Sequence, residues 1–345
     1  MLCLRPHRGP QRCGDGTSAQ RCEATGGLKV TDVPLDCLIV GGGPAGLTAA
    51  TYLGRFRRDV TIVDKGWSRA EWITRSRNVP GFSAGVGGSV LLDLMRTQAR
   101  CFGAVLEHGT VEAIGRGADE LFTATFGGAS VTAYTVLLAS GVVENKPPLA
   151  HLADAVKRGL IRTCPICDGY EAIDMAIAVL GNGEHAAAEA LFLRTYSAAI
   201  TLLLTAAETA DLSSATRAAL QAAGIALSHI IIGSVSVDLN GVTVLTVEGG
   251  QQHRFDLVYT AFGTTPQSAL AAELGARVEA TGRLCVDEHQ ATSVAGLYAA
   301  GDLVRGLNQI SVAAGEAAIA ATAIHNGLHR TFAVRSGADK QPTIR

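Results

Sequence analysis

Aromatic side chains are scarce, 5% of 345 residues with only two tryptophans, and charge of neither sign prevails. Lysine and arginine number 29 against 31 acids, a formal net charge of −2. Nothing in that balance draws the chain toward nucleic acid or an anionic membrane surface. No uninterrupted apolar run approaches the roughly 18 residues of a membrane span, and the first thirty or so residues lack the apolar core of a secretory signal. Eight cysteines in so long a chain are too dilute for the disulfide framework of a small secreted domain. These absences point to a cytoplasmic protein with no nucleic-acid or membrane partner.

What is present is apolar content of 48%, carried by Ala, Val, Leu and Ile, together with 40 glycines. Helices packed on buried parallel strands have this composition, so the fold class reads as α/β. The length suits two compact units with cores of their own. Residues 1–33 stand apart: Arg5, Arg8, Arg12 and Arg21, three cysteines and no hydrophobic period. They read as a disordered leader or over-extended start rather than an amphipathic targeting helix.

From Pro34 the pattern changes. Leu35 to Val40 predicts a strand that ends in Gly41-Gly42-Gly43-Pro44-Ala45-Gly46; helix-like sequence follows to Arg55, then a second strand from Asp59 to Val63 ends at Asp64. In Gly41-x-Gly43-x-x-Gly46 the glycines permit a tight turn, close approach of a pyrophosphate and close helix–strand packing. Asp64, about twenty residues past the last glycine, stands where an acid can hold ribose hydroxyls. The plainer alternative is a tight structural turn. The grammar recurs in the strand Ala176 to Leu180, the turn Gly181-x-Gly183-x-x-Ala186, a helix from Ala187 to Leu193 and a strand from Ala199 to Leu204. Leu204-Thr205-Ala206-Ala207-Glu208 then offers no arginine to grip a 2′-phosphate. Charge-assisted hydrogen bonds contribute about 1.5–3 kcal/mol each, so each missing contact weakens NADPH by about ten- to a hundredfold.

Other strands are predicted over Leu121 to Phe126, Ser130 to Tyr134, Thr135 to Ala139, Phe255 to Thr260 and the stretch before Gly301-Asp302, with a helix from about Ser311 to Asn326. Cys164-Pro165-Ile166-Cys167-Asp168-Gly169 is the one paired cysteine motif. Two thiols at this spacing can close a reversible disulfide, and a helix starting there would favour a thiolate. Zinc is the alternative, but it needs two further ligands and no second such pair occurs, so no metal is assigned. Asp168 reads as a proton donor beside the thiols or a helix cap. His185 reads as a phosphate contact or a solvated loop residue, and Cys37, Cys101 and Cys285 as small core residues.

Taken in order, the first fingerprint, Cys-x-x-Cys-Asp-Gly before a second fingerprint, and Tyr298-Ala299-Ala300-Gly301-Asp302 resemble the low-molecular-weight thioredoxin reductases across about residues 34–330. That resemblance implies two Rossmann-like dinucleotide-binding domains with the nicotinamide domain inserted into the FAD domain. The implied division puts the first segment of the FAD domain at 34–148, the NAD(P)-binding domain with the dithiol at 149–266, the second segment of the FAD domain at 267–330 and a tail at 331–345. It implies FAD held by Gly41, Gly43, Pro44, Ala45, Gly46, Asp64, Asn78, Gly301, Asp302, Gln309 and Ile310, and NADPH at Gly181, Gly183 and Ala186. Cys167 would face the flavin, Cys164 would attack the partner disulfide, and Asp168 would manage protons. A homodimer reducing a thioredoxin-like protein or a small-molecule disulfide is the implied assembly and partner. The sequence departs from the family at Leu204-Thr205-Ala206, where His-Arg-Arg is usual, at Pro165 and Ile166 between the cysteines, and at Asn308 and Ile310 around the matching Gln309. Two other readings remain open: a same-fold dithiol/disulfide oxidoreductase using another electron partner or a small-molecule substrate, and a non-catalytic redox-sensing flavoprotein.

Overall fold

The structure is a computed structural model describing residues 33–149, 152–205, 212–237, 241–246 and 252–328. The leader and its three cysteines, the tail and Glu208 lie outside the described residues. β1 (Leu35–Val40) runs into α1 (Pro44–Arg55) and β2 (Val60–Asp64). A single 3-10 turn at Arg69–Trp72 and α2 (Gly88–Cys101) lead to β3 (Val105–His108). β4 (Val111–Arg116), β5 (Phe122–Phe126) and β6 (Ala129–Leu138) fold as an antiparallel meander.

After β7 (Val142–Glu144) come α3 (Leu152–Lys157), β8 (Ile161–Arg162) and α4 (Pro165–Asp168). β9 (Ile177–Gly181), α5 (Gly183–Leu193), β10 (Ile200–Thr205), α6 (Ser214–Ala222) and β11 (Ala226–Val237) form a second wound unit. β12 (Val242–Thr246), β13 (Gln252–Phe255), β14 (Leu257–Ala261) and β15 (Thr264–Pro266) follow, then α7 (Ala269–Glu273), β16 (Leu297–Ala299) and α8 (Ile310–Gly327).

Two sheets result, ordered β3-β2-β1-β6-β5-β4 with β16 beside β6, and β13-β12-β11-β10-β9-β14-β8. β7 and β15 pair antiparallel where the chain passes between them. In each sheet the central strands are parallel and covered on both faces, so β9 and β14 are buried at every residue. That two-sided burial explains their unbroken apolar sequence.

The structure corrects several sequence expectations. Ser130 to Tyr134 and Thr135 to Ala139 are one strand, β6, because its pairing is continuous: β5 holds one edge at Ala129–Ala133, β1 takes the other edge from Ala133 to Leu138, and β16 follows β5 at Val136–Leu138. Phe255 belongs to β13, antiparallel to β12, and the parallel strand begins at Leu257. Both glycine-loop helices start earlier than expected, at Pro44 and Gly183, since a helix's first turn needs no apolar period. Cys37 is fully buried as expected, its thiol pushed up to about 12 by desolvation, whereas Cys285 is half-buried and Cys101 is exposed at the end of α2.

Candidate active site

The first glycine loop joins the C-terminal end of β1 to α1. A Cβ on Gly46 would run into the Gly41 carbonyl oxygen, and one on Gly41 into the carbonyl of Ala139 just past the neighbouring strand β6. These contacts hold helix on sheet and leave no room for side chains. Gly43 caps α1 without a side-chain hydrogen bond, and Pro44 takes the first helical position, whose N–H is not needed. The first-turn N–H groups of Ala45 and Gly46 therefore remain available to an anion. The Asp64 carboxylate lies against Gly42, so the acid at the tip of β2 stands beside the loop.

Gly301 follows β16, and a Cβ there would meet the side chains of Ala45 and Ala313, so the starts of α1 and α8 converge on one turn. Its N–H donates to Glu316 Oε2 at 2.8 Å. Asp302 is paired with Arg69, Nη1 to Oδ2 at 3.1 Å, and Arg69 also reaches Glu144. Desolvation raises the Asp302 carboxyl above its ordinary value and Arg69 opposes the rise. Neither Arg69 nor Glu316 stands out in the sequence. Their partners lie far along the chain, and no local pattern announces them.

The second loop repeats the geometry. A Cβ on Gly181 would meet the Ala261 carbonyl oxygen and, at 2.9 Å, the Cβ of Ala186, which is fully buried. Gly183 opens α5 behind the uncapped Asn182. Asn182 Oδ1 instead accepts from Thr205 Oγ1 at 2.8 Å, tying the loop to the tip of β10. Glu184 accepts from Ser213 N–H at 2.6 Å and from the Thr216 hydroxyl, and these bonds hold its carboxyl below the ordinary value. His185 is exposed and pairs with Glu189 at 3.2 Å, which raises its proton affinity.

Cys164 and Cys167 form a disulfide. The expected helix between them is one turn, α4, with Cys164 at its N-cap and Pro165 at its first position. Asp168 closes that turn and is not its N-cap, so the capping alternative falls away. Its Oδ1 accepts the Tyr259 hydroxyl at 2.7 Å. Among the described residues no three His, Cys, Asp or Glu side chains gather where they could hold a metal ion.

Gln309 of the first unit reaches this disulfide, and Asn78 and Arg77 reach the chain around it. Gln309 Nε2 lies 3.5 Å from each Sγ, at sulfur hydrogen-bond distance. Gln309 Oε1 accepts from Asn78 Nδ2 at 2.9 Å, and the same amide lies 3.4 Å from the Ile166 carbonyl oxygen. Arg77 Nη1 pairs with Glu171 Oε1 at 3.1 Å. Ile310, the other residue expected here, is the first of α8, for which Gln309 is the N-cap. Asn308 presents a buried Oδ1 with no hydrogen-bond partner among the described residues. An unsatisfied buried oxygen on the residue before Gln309, a glycine cradle closed to side chains and two helix starts on one turn all fit a bound dinucleotide-type cofactor.

The sequence profile of the pyridine nucleotide-disulphide oxidoreductase family matches residues 35–317. A thioredoxin reductase of Treponema pallidum is 29% identical over 298 residues, 84% of this chain and 95% of that protein. The crystal structure of a thioredoxin reductase from Streptococcus pyogenes matches with a TM-score of 0.79 at 25% identity, covering 86% of this chain and 98% of that one. The crystal structure of HlmI matches with the same TM-score at 27% identity, covering 86% and 93%.

Proposed function

This chain belongs to the pyridine nucleotide-disulphide oxidoreductase family, and on that premise we propose that it is a disulfide reductase of the thioredoxin-reductase type, using FAD and NAD(P)H. The observation that carries the reading is the Cys164–Cys167 disulfide set against Gln309 and Asn78, between the two glycine loops. FAD bound at the first loop would supply two-electron transfer between a nicotinamide nucleotide and that disulfide.

The residues divide the work. Gly41, Gly43, Pro44, Ala45 and Gly46 offer backbone to the pyrophosphate, Asp64 the ribose contact, and Gly301 with Asp302 the opposite wall. Asn78 orients the Gln309 amide, which donates toward both sulfurs and favours negative charge arriving there. Gly181, Gly183 and Ala186 form the nucleotide loop. Once the disulfide is opened, Cys164 attacks the partner disulfide, Cys167 resolves the mixed disulfide, and Asp168 exchanges protons with the pair.

The proposed domain division at 148/149 and 266/267 is supported by the chain leaving the first sheet after β6 and returning to it with β16. A homodimer in the cytoplasm completes the proposal. No helix among the described residues is long and apolar enough to cross a membrane. A second reading, the same dithiol chemistry with another electron donor, is favoured by one observation. Thr205 at the tip of β10 is tied to Asn182, and the next six residues of the sequence, 206–211, carry Glu208 and Asp211 but no arginine.

The test is reduction of a thioredoxin by the purified flavoprotein with NADPH or NADH. Turnover abolished by Cys164→Ser with flavin retained supports the proposal. Turnover that survives the substitution contradicts it and leaves the dithiol a sensor or a bystander. An enzyme inert to both nucleotides yet active with a chemical reductant supports the second reading.

A further inference from the structure

Tyr259 and Arg162 have no part in the chemistry assigned above, yet they meet at Asp168. β8 is a two-residue edge strand whose parallel pairing with β14 sets Arg162 opposite Tyr259. Tyr259 is fully buried and turns its hydroxyl onto Asp168 Oδ1 at 2.7 Å. Arg162 Nη1 donates to the Asp168 backbone carbonyl at 2.8 Å and lies 3.4 Å from the Tyr259 oxygen, while its Nε is 3.9 Å from Asp168 Oδ2. A phenol in the core of a sheet needs a partner, and this one has the carboxyl next to Cys167.

We propose that Tyr259 and Arg162 are positioning residues that fix the Asp168 carboxyl beside the dithiol and set the pH at which it exchanges protons with it. This rests on the reading of Asp168 given above. When two electrons enter the disulfide, which a nicotinamide nucleotide would supply through bound FAD, the S–S bond breaks and two sulfur anions form. Asp168 gives its proton to one of those sulfurs and becomes a carboxylate that accepts the Tyr259 O–H and faces the Arg162 guanidinium. Thiol oxidation returns the proton by the reverse path.

The other groups around Asp168 are Glu171 on the following 3-10 turn, itself paired with Arg77, the two cysteines, and Tyr196, whose ring packs on Gly169 just beyond α5. Burial raises the Asp168 carboxyl; Tyr259 and Arg162 pull it down, and Glu171 adds to the rise. The clamp is built from β8, α4 and β14, all within the second unit, so it persists wherever that unit sits relative to the first.

The test uses the full chain, reduced with dithiothreitol, and follows alkylation of Cys164 and Cys167 by iodoacetamide as a function of pH, a readout independent of flavin turnover. Tyr259→Phe keeps the ring in the core and removes one oxygen. It should move the Asp168-dependent limb of the profile upward by about one pH unit, a tenfold loss of carboxylate stabilisation. Arg162→Gln should move it in the same direction. In an Asp168→Asn background the limb should be gone and Tyr259→Phe should change nothing further. A limb lost in Asp168→Asn but unmoved by Tyr259→Phe overturns the inference alone. A Tyr259→Phe effect that persists in the Asp168→Asn background overturns it too, because the tyrosine would then act through packing. A limb that survives Asp168→Asn overturns the role of Asp168 itself, and this inference with it.

Discussion

At the residue scale the site is made of close approaches that tolerate no added atoms and charges that tolerate no lost partner. Gly46→Ala drives a methyl into the Gly41 carbonyl oxygen, which is backbone and cannot rotate away. We expect a flavin affinity reduced by at least about tenfold, equivalent to roughly 1.4 kcal/mol, measured as flavin retained through purification and dialysis. Arg69→Met leaves Asp302 buried without its cation. The folded carboxyl is already raised by desolvation, so the folded state binds more protons than the unfolded chain, and stability falls as pH rises through that interval. Losing Arg69 raises the carboxyl further. The variant should therefore be destabilised by about 1–3 kcal/mol at neutral pH and by less in mild acid, which urea unfolding at the two pH values would read. Equal losses at both would show that the guanidinium contributes packing alone.

At the scale of elements, the two βαβ units are legible in the sequence because glycine, helix and acid fall in a fixed order and their strands are apolar on both faces. β1 has the bounds its sequence predicts, whereas the helix starts and the division of β6 do not. A first turn carries no periodic signal, and a strand that changes neighbours along one edge carries no break in its sequence. The two units should be separable by mutation. Gly181→Ala presses a methyl onto the Ala261 carbonyl oxygen and Ala186, all within the second sheet and its helix. It should weaken NAD(P)H binding about tenfold or more while flavin stays bound, the converse of Gly46→Ala. Equilibrium titration of the oxidised protein with NADP+ and NAD+, which cannot reduce it, measures the first effect and visible absorbance the second. Loss of flavin in Gly181→Ala would contradict the separation.

For the whole molecule, the sequence names the disulfide pair and both loops, but it cannot show what they face. Resemblance alone assigns Gln309 to the cofactor; the structure adds that its amide touches both sulfurs and is steered by Asn78. Arg69, Glu316, Arg162 and Tyr259 escape sequence reading because each acquires its partner through sheet pairing or chain return, not through spacing. Asn308, notable in sequence only as a departure, carries a buried side-chain oxygen with no hydrogen-bond partner among the described residues, next in the chain to Gln309. In the proposed mechanism disulfide and flavin exchange electrons in one line. Anaerobic reductive titration of the full-length flavoprotein, first with NADPH, then NADH, then dithionite, tests it most directly. The wild-type protein should take up two electrons more than the Cys167→Ser variant before its flavin absorbance reaches its endpoint, because the disulfide is a two-electron acceptor. Equal uptake by the two proteins would mean that the disulfide lies outside the path, and the account would fail at its centre.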